Sequence, residues 1–133
     1  MSIFVSEPGD WNQSWVNFKP KEFECSHCNI LKISSDLMDF LQTARDDLGP
    51  LSITSAYRCE DHNNDVSTTG FNGPHTTGLA VDLSVKDSQH RKKLITYFAD
   101  KVTGLGIAKS FIHIDLLTAE DGFDMRPNCW VYK

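Results

Sequence analysis

The sequence predicts an α+β fold, with a small, mostly antiparallel central sheet flanked by helices. Two features carry that reading. Short alternating runs, rich in β-branched residues, occur at 51–57, 79–85 and 110–117. Two longer stretches, 35–48 and about 88–102, carry apolar residues at helical spacing.

Taken in order, Trp11, Trp15 and Phe18 fall at i, i+4 and i+7, which predicts a short packing helix or arm over 1–19. Such aromatics can grip sugars, but core packing is the commoner use. Lys19-Pro20-Lys21-Glu22-Phe23 can open a helical turn, with Pro20 near its first position. From Ser35, the residues Leu37, Met38, Leu41, Ala44 and Leu48 form one stripe, and Asp36, Asp39, Gln42, Arg45 and Asp46 lie outside it. Ser34 or Ser35 caps this helix, and Gly49-Pro50 stops it. Leu51 to Tyr57 reads as a strand that delivers Arg58 at its end. A long polar loop follows, from about Glu60 to Pro74. A loop that long in a small chain is usually functional or disordered, and this one leads straight to His75.

From Leu79 to Val85, Leu79, Val81, Leu83 and Val85 face one way, and Ala80, Asp82 and Ser84 the other. A lone acid on a buried strand is costly unless something pairs with it. Asp87 or Ser88 caps a second helix with Leu94, Ile95, Phe98 and Val102 as its stripe, and Gly104 follows. His90, in its basic first turn, is a weak ligand candidate. Gly104 to Ile107 reads as a turn into the last main strand, where Phe111, His113 and Asp115 share a face. Trp130 and Tyr132 can tuck back as a C-terminal strand.

The chain has 133 residues and 40% apolar content, which suits one domain over 1–133 with an ordinary core. Its net charge of −5 argues against a nucleic-acid surface. No apolar run approaches the roughly 20 residues of a transmembrane helix, and the N-terminal stretch lacks the pattern of a secretory signal.

His75, Asp82 and His113 supply the count of a catalytic zinc site: three protein ligands, with a fourth position left for water. If the strands bearing Asp82 and His113 pair, both side chains project from the same face. Cys25-Ser26-His27-Cys28 is half of a zinc-ribbon pattern, which Cys59 and Cys129 could complete only if folding brings them close. Reduced thiols, one disulfide or a second, structural metal all remain open for the four cysteines.

The run His75-x-x-Gly78-x-Ala80-x-Asp82 is preceded by Ser55-Ala56-Tyr57-Arg58-Cys59 and followed by Phe111-Ile112-His113-Ile114-Asp115. Together these resemble the zinc D-alanyl-D-alanine carboxypeptidase family, whose superfamily includes phage endolysins, vancomycin-resistance dipeptidases and the Hedgehog signalling domain. The likeness spans roughly 20–132, taking in Lys21-Glu22-Phe23, the Asn63 loop and Trp130. It implies a Hedgehog/D,D-peptidase-like fold, with His75, Asp82 and His113 as Zn2+ ligands. It implies Arg58 at the substrate's scissile bond or carboxylate; the plain alternative is a salt bridge to Asp61 or Asp65. The implied activity is hydrolysis of peptidoglycan stem or cross-link peptides by a monomer. Such a protein would be made in the cytoplasm and act on the wall after release or within a phage particle. A metal-containing binding module without catalysis is the alternative.

Two positions depart from the family pattern. Gly73 stands where a serine is frequent, two residues before His75, and Ser110, three before His113, stands where many members carry an acid or another histidine as general base. Asp115 is the nearest substitute, either as general base or as the residue that orients His113; His62 is a weaker contributor from the loop.

Overall fold

The computed structural model describes residues 3–132. Met1, Ser2 and Lys133, the ends of the expected 1–133 domain, lie outside the described residues. The architecture is α+β, as the sequence predicts. A five-stranded sheet runs β3 (Ile53–Ser55), β4 (Ala80–Ser84), β6 (Phe111–Asp115), β5 (Gly104–Ile107) and β7 (Asn128–Val131) in spatial order. All pairings are antiparallel except β5 with β7. A separate small ladder joins β1 (Phe4–Val5) to β2 (Ile33–Ser34).

One face of the sheet is apolar. Val81, Leu83, Ile112, Ile114 and Leu105 share a core with Leu37, Met38, Leu41 and Ala44 of α1 (Ser35–Leu48) and with Leu94 and Phe98 of α3 (Ser88–Phe98). Both helices begin on side-chain caps: Ser34 accepts from Leu37 N–H, and Asp87 accepts from His90 N–H. Leu83, Ile112, Ile114, Leu94 and Phe98 are fully buried. Burying side chains of this size favours folding by roughly 1.5–3 kcal/mol each.

Three expectations need correction. Residues 11–18 form turns rather than a helix. Asn12 Oδ1 accepts from Ser14 N–H at 2.9 Å, a local bond that competes with helical pairing. The arm still packs as the aromatics suggest: Trp15 and Phe18 are buried, and Trp15 Nε1 donates to Asp39 Oδ1 at 2.8 Å. That contact recruits Asp39 from the supposedly solvated side of α1. Gln42 is recruited likewise, with its Nε2 donating to Asn17 Oδ1 at 2.7 Å.

The polar segment after Arg58 is not a plain loop. It opens with α2 (Glu60–Val66), whose acidic first turn suits the positive helix end. Only Asn63 of its seven residues is buried, so no apolar stripe could announce it.

Finally, 104–107 is strand β5 rather than a turn. Its glycines let neighbouring groups cross its face. A Cβ on Gly104 would overlap the Asp115 carboxylate, and one on Gly106 would come within 2.7 Å of Trp130 Nε1.

Replacing Gly104 by alanine should therefore lower stability by roughly 1–3 kcal/mol, the usual cost of overpacking. Gly9→Ala is the control, because nothing lies within 4 Å of its added methyl. Thermal melts of the two variants in parallel check this: the first should melt lower than the parent chain and the second close to it.

Candidate metal centre

The opposite face of the sheet carries the polar residues. Asp82 pairs with His113 across β4 and β6, and Ala80 pairs with Asp115. Gly106 lies opposite His113 on β5, and Trp130 lies opposite Gly106 on β7. Period-two alternation thus puts Asp82, His113 and Asp115 on one surface. His75 comes from a short helical turn, Pro74–Thr76, just before β4. Gly78, with φ of 79°, reverses the chain between them, a backbone state that favours glycine.

His75, Asp82 and His113 are all buried, and one donor atom from each lies within 4.8 Å of the others. His113 Nδ1 is 2.9 Å from Asp82 Oδ1, and His75 Nε2 is 3.2 Å from the same oxygen. The remaining nitrogens are committed elsewhere. His75 Nδ1 donates to the Ala56 carbonyl at 2.7 Å, and His113 Nε2 donates to Asp115 Oδ2 at 2.7 Å. Without a cation the inner nitrogens carry protons towards Asp82; when a cation displaces those protons, each outer bond holds the remaining one, and both inner nitrogens present a lone pair. Two imidazoles and one carboxylate converging in this way fit a zinc ion with an open fourth position.

The electrostatics describe a place that wants positive charge. Burial pushes the Asp82 carboxyl upward, but hydrogen bonds from His113 and His75 outweigh it and hold the group far below the usual range. Burial disfavours charge on His113, yet its bonds to Asp115 and Asp82 raise its pKa overall. Asp115 is fully buried and sits at about 2: burial raises it, while His113 and Arg126 lower it further.

Arg58 stands beside this centre. Its Nη2 is 3.7 Å from Asp82 Oδ2, and its Nη1 donates to Asn63 Oδ1 at 3.2 Å. Its partners are therefore Asp82 and Asn63, not Asp61 or Asp65. Asn63 in turn donates to Thr69 Oγ1 at 2.9 Å and to the Gly70 carbonyl, which ties α2 to the turn before His75. Gly73 fits this junction: a Cβ there would collide with Thr69 and Asn63. No room remains for the serine frequent in the family.

Neither of the other histidines singled out from the loop and second helix reaches the centre. His62 stacks on His27 with ring centroids 5.6 Å apart, and His90 Nδ1 accepts from Lys86 N–H at 3.1 Å.

Arg126 is the residue that sequence reasoning missed. Its Nε and Nη2 donate to both Asp115 oxygens, at 3.0 and 2.7 Å, a two-pronged bond that fixes the carboxylate. Its guanidinium also lies 4.7 Å from the Trp130 ring centroid, and Trp130 packs 5.3 Å from His113. Arg126 sits in an irregular segment without periodicity, so nothing in the sequence points it at Asp115.

The family model described as Peptidase M15 matches residues 16–115, three quarters of the chain. That span contains Arg58, His75, Asp82, His113 and Asp115, and stops short of Arg126 and Trp130. No curated protein and no solved structure matches the chain.

Asp115→Asn should weaken zinc binding by roughly 10–100-fold, the usual effect of losing a partner that orients a ligand. Competition against a chromophoric chelator measures it. In metal-free protein, the depressed Asp115 pKa of about 2 makes its ionised form a source of stability. That contribution is complete above the ordinary carboxylate value near ~3.9 and is lost as pH falls towards ~2. Arg126→Ala should shrink it, so melting temperature should fall less between about pH 5 and about pH 3 than in the parent chain.

Proposed function

The chain belongs to the peptidase M15 family, the zinc D-alanyl-D-alanine carboxypeptidase and Hedgehog-type metallopeptidases, and on that premise we propose that it is a zinc-dependent hydrolase of peptidoglycan stem or cross-link peptides. The observation that carries the proposal is the convergence of His75 Nε2, Asp82 Oδ1 and His113 Nδ1 beside the Arg58 guanidinium. In this reading, His75, Asp82 and His113 hold the ion. A zinc ion held by such a set supplies Lewis acidity: it polarises a carbonyl and lowers the pKa of water towards ~7.

The chain's own groups do the rest. Arg58 is half-committed to Asp82 and Asn63, and it can offer N–H donors to a substrate carboxylate or to the oxyanion formed at the scissile carbon. The Ala56 carbonyl and Asp115 keep the protons of His75 and His113 on their outer nitrogens. Trp130 covers one side of His113 and limits water there.

Of the two roles open to Asp115, the hydrogen bonds support the orienting one. Both its oxygens are engaged by Arg126, and His113 takes one of them as well. That same observation favours a second reading. With Ser110 exposed on the β5–β6 turn, no acid stands three residues before His113. A wall-binding module that keeps the metal without cleaving would look the same in these respects.

Purified sacculi, incubated with the protein with and without chelator, separate the two readings. The hydrolase releases new amine groups that chelator abolishes, and mass spectrometry of the products identifies the bond; binding without release supports the module. His75→Ala, Asp82→Ala and His113→Ala should each lose activity together with one equivalent of zinc relative to the parent chain, and an unchanged zinc content in all three would overturn the ligand assignment. Arg58→Ala should retain zinc and lose about 10²–10³-fold in kcat/KM, the scale of removing one oxyanion donor.

A further inference from the structure

Away from His75 and His113, three cysteines meet. Cys25 and Cys28 sit on a tight turn: Cys25 N–H donates to the Ile30 carbonyl at 2.9 Å, and Asn29 N–H donates to the Cys25 carbonyl at 2.8 Å. Asn29, directly after Cys28, has φ of 59°, a left-handed state that asparagine tolerates and that turns the chain back on itself. Cys59 arrives from a different element, as the residue that precedes α2. All three sulfurs lie within 4.8 Å of one another, with Cys25 buried and the other two partly so.

A nitrogen donor stands at the edge of the group: His27 is exposed and lies outside the set of atoms within 4.8 Å of one another, but it reaches one of the three sulfurs. His27 Nδ1 is 3.4 Å from Cys59 Sγ. On a tetrahedral zinc ion, with bonds of about 2.3 Å to sulfur and 2.0–2.1 Å to nitrogen, such a pair lies about 3.5 Å apart. The backbone also favours a thiolate here. Cys59 N–H donates to Cys25 Sγ at 3.3 Å, and the Cys28 and His27 amides add to it. Among the described residues all four cysteines are free thiols. Cys129 lies exposed on β7 and is not among the clustered sulfurs, so the quartet of Cys25, Cys28, Cys59 and Cys129 is not assembled.

We propose that Cys25, Cys28 and Cys59, completed by His27, bind a second zinc ion with a structural role. Binding forms three Zn–S bonds and one Zn–N bond and releases the thiol protons to solvent. With four protein ligands the site is closed, so it stabilises the fold and supplies no nucleophile. Its position gives it a task. It staples the turn at 25–28 to Cys59, the neighbour of Arg58, and so fixes the base of the side chain that faces Asp82. The proposal does not depend on the catalytic reading.

Cobalt substitution of the full-length chain tests it directly. A Co2+ ion held by two imidazoles and a carboxylate gives no thiolate-to-metal charge-transfer band, whereas one held by three thiolates gives an intense band in the near ultraviolet. The parent chain should show that band and carry two zinc ions by elemental analysis. A His75→Ala/His113→Ala variant should keep the band and one zinc. Cys59→Ser should lose the band, Cys129→Ser should keep it, and His27→Ala should bind zinc at least about tenfold more weakly. Because the parent spectrum alone decides, a cysteine variant that fails to fold leaves the test intact. Absence of the band from the parent chain, or a disulfide joining two of the three cysteines in protein purified without reductant, would overturn the proposal.

Discussion

The Asp82 carboxylate is the constraint around which the other pieces are arranged. An ionised carboxylate buried to 5% exposure is expensive unless its charge is answered. Here three groups answer it: His113 and His75 on one oxygen, and Arg58 near the other. None of the three is adjacent in sequence to Asp82. Each arrives on its own element, so the burial of one acid makes β4, β6, the His75 turn and the Arg58 segment interdependent. The imidazoles, turned inward and held from outside, offer a place to a cation that would satisfy Asp82 more fully than they do alone.

The sheet makes this possible by dividing its two faces sharply. Leucine, isoleucine and valine fill the face against α1 and α3. The other face keeps Ala80, Gly104 and Gly106 around the charged groups. Small residues there serve reach rather than flexibility. Gly104 leaves space for the Asp115 carboxylate, and Gly106 lets Trp130 and Tyr132 lie across β5 towards His113. A side chain at either position would push aside the groups that hold His113 in place.

How much of this was legible depended on whether the signal was local. The alternation around Asp82 and that around His113 each read directly, because a strand repeats every two residues. Their pairing was a conditional inference that the register of β4 and β6 satisfies. The helix at 35–48 was plain from its stripe and caps, and its boundaries match. By contrast, α2 carries no stripe, since it is held by polar bonds through Asn63 and by its N-terminal acids. The glycines of β5 looked like a turn because a strand that must admit foreign side chains sheds its own. Arg126 was invisible for a deeper reason. Its partner Asp115 is eleven residues away, across an irregular segment, and only the closed fold brings them together.

Those long-range bonds also explain why the centre can be rigid while built from turns. His113 is gripped from behind by Asp115, Asp115 by Arg126, and Arg126 by the ring of Trp130 on the edge strand β7. On the other side, Arg58 is held by Asn63, Asn63 by the 69–70 turn, and Cys59 by the sulfur of Cys25. The two chains of contact start at opposite ends of the sheet and meet at Asp82. A perturbation far from Asp82, at Arg126 or at the cysteine turn, therefore reaches the centre by displacing His113 or Arg58 rather than by unfolding the core. Helices α1 and α3 pack the opposite face and take no part in either chain, which lets the apolar core set the stability while the polar face sets the geometry of the site.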